Sequence, residues 1–423
     1  MTVIERTWAG TYSFTAQRLI SATSVAEVQR AVAAAAASGE RVRALGTRHS
    51  FNGIADTAGT LITILGIDPD PALDEAARTV TVGSGIRYGE LAVWLEERGW
   101  ALHNMGSLPH ISVGGATATG THGSGNLNGT LSTAVRAIEY VSAEGSLVTA
   151  RSGDPDFEGL VVGLGAFGIV VRTTLAVQPS YAVRQDTFTG LRWSAVLDDL
   201  EGVTGASYSV SLFTNWLGDT MGTAFRKTRL LDDAAEGDDP DGWLGSTRDQ
   251  AAGIFGGVED NHTGRGAGQW LDRLPHFRLD STPSHGDEIQ TEYFVDRARS
   301  ADALRAVRAL GDRIAEHLLV TELRTTAPDD LWLSGSYGRP TLAIHFTWRN
   351  EPEGVHALLP AIEEALAPFD ARPHWGKVNT MDAAGLARVH PRLADARALF
   401  ERLDPAGTFS NGYLEQRGVR EPR

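Results

Sequence analysis

The stretch 103–130, HNMGSLPHISVGGATATGTHGSGNLNGT, limits what this chain can fold into more than any other. It is dense in Gly, Ser and Thr and carries neither a helical nor a strand period. Inside a compact domain, so long an irregular run is usually functional. Glycines at 106, 114, 115, 120, 123 and 125 permit close backbone approach to a planar ligand, because no Cβ intervenes.

The rest of the chain bounds what that ligand and its partners can be. A length of 423 residues exceeds one comfortable hydrophobic core, so two domains are expected. The net charge of −15 repels phosphate backbones and anionic lipid. Nucleic acid and membrane surfaces are therefore poor partners, and a neutral substrate fits without difficulty. There is no cysteine. Disulfides, thiolate metal sites, iron–sulfur clusters and cysteine nucleophiles are excluded, and any covalent cofactor link must use another side chain. The first residues, MTVIERTWAGTYSFTAQRLI, lack a basic start followed by an apolar core. No apolar run reaches the length of about 18 residues that spans a bilayer. The expected address is the cytoplasm, and the expected state a monomer.

Residues 24–38 read as a helix, with Ser24 and Glu27 as a capping box and Gly39 as its stop. A strand over Arg41–Leu45 runs straight into Gly46-Thr47-Arg48-His49-Ser50. Thr60–Leu65 and Thr79–Val82 are further strands. Tyr88–Arg98 is a helix stopped by Gly99, and Ala137–Val141 with Leu147–Ala150 form a hairpin about Glu144-Gly145. After Pro179, residues 181–230 and 288–348 carry strand-like runs such as Tyr208–Phe213 and Thr341–Thr347. Residues 231–268 read as a mobile surface insertion, and Ala301–His317 and Val355–Leu366 as amphipathic helices. The order of elements is α+β rather than a strict βαβ alternation.

Three features invite readings that their context rejects. Gly163-Leu164-Gly165-Ala166-Phe167-Gly168 matches a dinucleotide fingerprint, with Asp186 at about the expected distance. The last glycine should open a helix, yet the strand-like IVVRTTLAV follows, so a glycine turn packed against something flat is the better reading. His285, Asp287 and Glu288 suit neither one helical face nor one strand face, so no metal site is expected. The acidic run at 232–241 lacks the ligand spacing of a calcium loop. His276 and His317 read as surface or capping residues.

In GTRHSFN, small polar residues after a strand let backbone N–H groups converge into a nest able to hold a pyrophosphate. On that segment alone, His49 reads as a loop histidine capping a turn. Together with SLPHISVGGATATGTHGSG, the segment resembles the FAD-binding domain of the vanillyl-alcohol oxidase family. His374-Trp375-Gly376-Lys377 resembles the HWxK signature of that family's sugar and aldonolactone oxidases. RLPHFR, TELRT, AIHFTW, ARPHWGK and the DPxGxFxN ending are most similar to its alditol (xylitol) oxidases, nearly end to end.

The resemblance implies an FAD bonded through its 8α carbon to His49. It implies that Gly46, Thr47, Arg48 and Ser50 hold the pyrophosphate, and that Ser112, Val113, Gly114, Gly115, Thr119, Gly120 and Gly123 line the flavin and its ribityl chain. Ile169 would lie near the adenine, and Asn411 would complete the site. It further implies a two-domain vanillyl-alcohol oxidase-type fold. The FAD domain comes from both chain ends, roughly 1–178 and 373–423, around an α+β substrate domain at 179–372.

Spacing points to the substrate site. Glu322 and Arg324 are two apart, and so are His345 and Thr347, so each pair shares a strand face. Val320, Leu323, Ile344 and Phe346 are expected on the opposite face. The bland alternative is a salt-bridge ladder on an edge strand. By resemblance, Ser107 and Lys377 join these residues around a polyol. Lys377 and His345 would take or stabilise the alcohol proton, Arg324 would offset charge on the reduced cofactor, and Glu322, Thr347 and Ser107 would hold the remaining hydroxyls. The implied reaction oxidises a terminal primary alcohol of xylitol, sorbitol or glycerol to the aldose, with O2 reduced to H2O2. An aldonolactone or sugar oxidase or dehydrogenase of the same family is the near alternative, and a non-catalytic flavin- or carbohydrate-binding protein the distant one. Gly106, beside Ser107, is expected either to admit oxygen or merely to supply a positive φ.

Overall fold

The computed structural model describes residues 6–230, 243–254, 261–281 and 287–423. The helix Val25–Ser38 has Ser24 as its N-cap and ends at Gly39, whose φ of 69° frees its N–H for the Ala35 and Ala36 carbonyls. The capping box is displaced by one residue, since the Glu27 carboxylate returns to the N–H and hydroxyl of Thr23. Val28, Val32 and Ala35 on this helix pack with Ile62, Val141 and Phe409 in a small core. Against it lie three short parallel strands, in the order Arg18–Ser21, Thr60–Thr63, Val42–Leu45. GTRHSFN therefore emerges from the carboxyl end of a parallel strand, a common place for ligand-binding loops in such sheets.

A five-stranded antiparallel sheet follows, ordered Ala72–Asp74, Thr79–Gly83, Ile169–Ala176, Val135–Val141, Leu147–Arg151. Its hairpin turns at Gly145, φ 80°. The segment after Gly168 is a strand, as its β-branched residues imply. Asp186 sits fully buried in the other sheet beside Arg184 and Arg248, so the dinucleotide fingerprint has neither its helix nor its acidic partner.

The stretch 103–130 is not wholly irregular, because Val113–Ala118 is a short helix. Two glycines conceal it, each about 1 kcal/mol poorer than Ala in a helix. Gly114 is needed there, since a Cβ would come within 2.9 Å of the Ser84 Cβ.

The larger sheet has nine strands among the described residues. Its order is Thr247–Arg248, Ala182–Thr189, Thr223–Leu230, Ser209–Thr214, Leu318–Thr326, Thr341–Arg349, Glu288–Asp296, Arg372–Pro373, and Gly266–Gln269 also pairs with Ala182–Thr189. Helices including Ser300–Arg308 and Pro352–Leu366 cover one face, packing on Leu323, Ile344, Phe346 and Trp348. The expected single helix over 301–317 is broken, and a second helix starts at Gly311, where a Cβ would meet the Trp216 carbonyl at 3.0 Å.

Of the insertion at 231–268, residues 231–242 and 255–260 lie outside the described residues, as does His285. The described remainder is not a bare loop, since it supplies Thr247–Arg248 and Gly266–Gln269 to the sheet. No helix among the described residues is long and apolar enough to cross a membrane.

Candidate active site

The uncovered face of the large sheet, the 46–52 loop and the segment 106–122 enclose a cavity of about 2080 Å3, mouth included. Gly46, Thr47, Arg48, His49, Ser50, Ser112, Gly114, Gly115 and Thr119 line it. The loop is fastened to distant sequence. Phe51 N–H donates to the Gly376 carbonyl at 2.7 Å, and Asn52 Nδ2 donates to the Trp375 and Lys377 carbonyls at 2.9 and 2.8 Å. Arg48 adopts φ 67°, a left-handed conformation that strains a non-glycine residue. Arg43, buried in the strand that leads into the loop, donates to the carbonyls of Ile54, Leu164, Gly165 and Phe409. The glycine turn at 163–168 is thus held as a wall of the cavity, with Val170 beyond it.

His49 stacks on Trp8 at 5.2 Å and 21°. Both its ring nitrogens are enclosed and have no hydrogen-bond partner among the described residues. Burial, then the charges of His110, Arg87, Arg48 and Lys377, push its pKa down to about 4, so the imidazole is neutral at pH 7. A buried, unpartnered, neutral imidazole is costly unless something else engages it. The surrounding backbone is correspondingly bare, for a Cβ on Gly46 would lie 2.7 Å from the Ser112 Oγ.

Five residues expected at the cofactor are not among those that line the cavity. Val113 turns into the core, and its N–H bonds the Ile86 carbonyl at 2.9 Å. Gly120 makes the turn after the helix at φ 71°. Gly123 is pressed against the Met105 carbonyl, 2.4 Å from where a Cβ would stand. Ile169 points into the small core with Val32, because alternation along its strand leaves Gly168 and Val170 facing the cavity. The Asn411 amide is spent on structure. Its Nδ2 donates to the carbonyls of Gly53, Ile54 and Asp56, and its Oδ1 caps Leu414. It braces the turn after the loop rather than lining the site.

On the sheet, Glu322 pairs with His345, and His345 in turn with Glu292. These strands are central, so an edge ladder is excluded. Val320 shares the Glu322 face, being two residues away, and lines the cavity with Phe213 and Ile254 instead of joining the helix-covered core. Arg324 donates Nη2 to Glu292 Oε1 at 2.9 Å and Nη1 to Ser107 Oγ at 3.1 Å, with its Nε 3.5 Å from Glu322 Oε2. His345 Nε2 lies 3.2 Å from the Thr347 hydroxyl and Nδ1 3.5 Å from Glu292. Lys377 Nζ donates to Gln290 Oε1, whose amide donates onward to Glu288. Burial lowers Lys377 to about 8, with Arg324 assisting and Glu292, Glu288 and Glu322 opposing. Burial and the Lys377 charge lower His345 to about 4. Burial alone would raise the Glu322 carboxyl, but Arg324 and His276 override it and hold it well below the usual range.

The spacing of Glu288, Gln290 and Glu292 carries the same period-two signal as Glu322 and Arg324, and would have found these partners. His276 corrects its surface reading. It is buried, with Nε2 2.7 Å from Glu322 Oε1. His317 is at the surface, paired with Glu351. Among the described residues there is no cluster of three or more potential metal ligands.

Residues 16–151 match the FAD binding domain family, and residues 286–417 match the D-arabinono-1,4-lactone oxidase family. An alditol oxidase of Streptomyces sp. is 44% identical over 96% of this chain and 97% of that protein. An L-gulono-1,4-lactone dehydrogenase of Mycobacterium tuberculosis is 30% identical over 98% of this chain and 99% of that protein. Among solved structures, a solvent-stable cholesterol oxidase shares the two-domain vanillyl-alcohol oxidase-type fold, with a TM-score of 0.80 and 16% identity, over 98% of this chain and 97% of that one.

Proposed function

This chain belongs to the alditol oxidase family of FAD-dependent flavoproteins, and we propose that it oxidises the terminal primary alcohol of xylitol, sorbitol or glycerol to the aldose while O2 becomes H2O2. One observation carries the reading. A single cavity runs from the unpartnered His49 ring to the Glu322–His345–Glu292 row with Lys377 beside it.

FAD, when bound, supplies the two-electron acceptor. The residues present fit it. His49 offers a neutral ring nitrogen for a covalent bond, consistent with a chain that has no cysteine. Gly46, Thr47, Arg48 and Ser50 offer a nest for the pyrophosphate, while Ser112, Gly114, Gly115 and Thr119 offer close backbone approach along the ribityl side. In this reading 1–178 and 373–423 form the FAD domain and 179–372 the substrate domain. Largely separate hydrophobic cores support the division, although Tyr181, Val183, Trp270, Leu274, Leu331, Trp332 and Leu333 pack into the first core.

An alcohol loses hydride more readily as its hydroxyl gains alkoxide character. Lys377, lowered to about 8, and neutral His345 are suited to hold that proton. Arg324 provides fixed positive charge between Glu292 and Glu322. Glu322, Thr347 and Ser107 line the same space and would hold the distal hydroxyls. A site of this kind disfavours deoxy substrates, whose binding leaves its buried polar groups unpaired.

The test is anaerobic mixing with xylitol, sorbitol, glycerol and a γ-lactone. Xylitol should bleach the yellow chromophore, acid precipitation should leave that colour with the protein, and colour in the supernatant would refute attachment at His49. The match of residues 286–417 to D-arabinono-1,4-lactone oxidases favours a second reading, an aldonolactone oxidase or dehydrogenase. Bleaching by the γ-lactone and not by the polyols would establish it.

A further inference from the structure

Lys227 is 1% exposed and lies in the middle of the large sheet. Its Nζ donates to the Leu274 carbonyl at 2.5 Å and lies 3.2 Å from His276 Nδ1. The opposite nitrogen of that ring is 2.7 Å from Glu322 Oε1. The ring is wedged edge-on between Phe213 and Phe225, which leaves it little freedom to turn. The same histidine is anchored to a second residue of the site, since the N–H groups of His276 and Phe277 both donate to the Ser107 carbonyl.

From this chain of contacts we propose that Lys227 is a positioning residue acting through His276. It donates to Nδ1 and so fixes the tautomer whose Nε2–H donates to Glu322, keeping that carboxylate aimed at the distal hydroxyls of a polyol. A neutral imidazole carries one ring proton. With Nδ1 accepting from the ammonium, the proton must sit on Nε2, where the carboxylate needs a donor. The other tautomer sets a lone pair against Glu322 and a ring N–H against the ammonium, two mismatches in a site without water-like screening.

The groups facing this relay act consistently. Burial, then the Lys227 charge, lower His276 to about 4, so it stays neutral and needs its tautomer set. Burial lowers Lys227 to about 7, against the pull of Glu322 and with Arg265 and Arg324 assisting. As pH rises through about 7 the ammonium becomes an amine whose lone pair can accept from Nδ1–H, and the tautomer is no longer fixed.

The inference rests on the polyol-holding role given to Glu322, and the experiment separates the two. Steady-state kinetics are measured in the holoenzyme with xylitol and with a simple primary monoalcohol, for Lys227→Met, His276→Gln, the double variant and Glu322→Gln. Lys227→Met should raise the KM for xylitol about tenfold or more, the scale of a hydrogen bond to a charged group, while kcat for the monoalcohol holds. Glutamine at 276 donates to Glu322 without a tautomer to set, so adding Lys227→Met to His276→Gln should cost almost nothing further. Wild type should show a rise in xylitol KM through about pH 7 that Lys227→Met lacks.

Additive losses in the double variant, or equal losses on both alcohols for Lys227→Met, overturn the relay. Equal losses on both alcohols for Glu322→Gln overturn the underlying role of Glu322 instead. If Lys227→Met does not fold, the wild-type profile decides alone, and a xylitol KM that stays flat through about pH 7 also overturns the relay.

Discussion

Gly106→Ala adds one methyl to the wall of the cavity. The structure removes one of the two explanations for glycine here, because Gly106 is not among the residues with positive φ. A Cβ would meet Ile111 Cδ1 and Thr121 Cγ2 at 3.6 Å and the His122 carbonyl at 3.8 Å, all ordinary contacts. Alanine therefore fits without strain. Gly→Ala at a compatible site reduces unfolded-state freedom and stabilises by about 0.4–1 kcal/mol. The variant should unfold at the wild-type temperature or slightly above it. If this wall admits oxygen, the methyl obstructs the approach, and about 1.4 kcal/mol of added barrier slows reoxidation tenfold. Stopped-flow measurement of the two half-reactions is the assay. Reduction by xylitol and turnover with a bulky artificial acceptor should stay near wild type, while reoxidation by O2 slows. An unchanged oxygen rate in a stable variant refutes the gate. A destabilised variant with both half-reactions damaged refutes the steric reasoning itself.

Three further outcomes are expected. Lys377→Ala should slow reduction by about 10²–10⁴-fold with the cofactor retained, and wild-type kcat/KM for a simple primary monoalcohol, which does not use the Lys227 relay, should rise with pH through about 8 as the Lys377 amine becomes neutral; a pH-independent profile contradicts the proton-holding role. Glu292→Gln removes a charge that raises the Lys377 pKa, so the rising limb of that profile should move to lower pH, and a shift upward counts against the assignment. Arg43→Met strands four carbonyls that the guanidinium now satisfies; at about 1–3 kcal/mol for each buried group left unpaired, thermal unfolding should occur well below wild type, and an unchanged melting temperature would show that those bonds contribute little.

Local chemistry made much of the fold legible. Ser24 and Gly39 bound their helix, the β-branched run after Gly168 is a strand, and Glu144-Gly145 turns its hairpin. What failed was decided by packing at a distance. The helix Val113–Ala118 carries glycine at 114 because Ser84 stands too close for any side chain, and no helical period announces that. In the site, the period-two pairs Glu322/Arg324 and His345/Thr347 do face one cavity, and Val320 belonged with them by the same alternation. His276 is out of reach, because a loop residue has no period, and contacts with the Ser107 carbonyl, Lys227, Glu322, Phe213 and Phe225 fix where it points. Asn411 and Ile169 were assigned to the cofactor by resemblance, yet the Asn411 amide is committed to three carbonyls and the Ile169 side chain to the core.

The braces of the 46–52 loop set an order of events during synthesis. Arg43 holds the Phe409 carbonyl, Val42 N–H holds that of Thr408, and Asn52 holds those of Trp375 and Lys377. None of these acceptors exists while the ribosome is still making the middle of the chain. At about 5–20 residues per second, the loop spends tens of seconds outside the exit tunnel before its supports arrive. His49 is therefore displayed early and enclosed last, and on the reading proposed above nascent chains halted before residue 375 should leave the ribosome colourless.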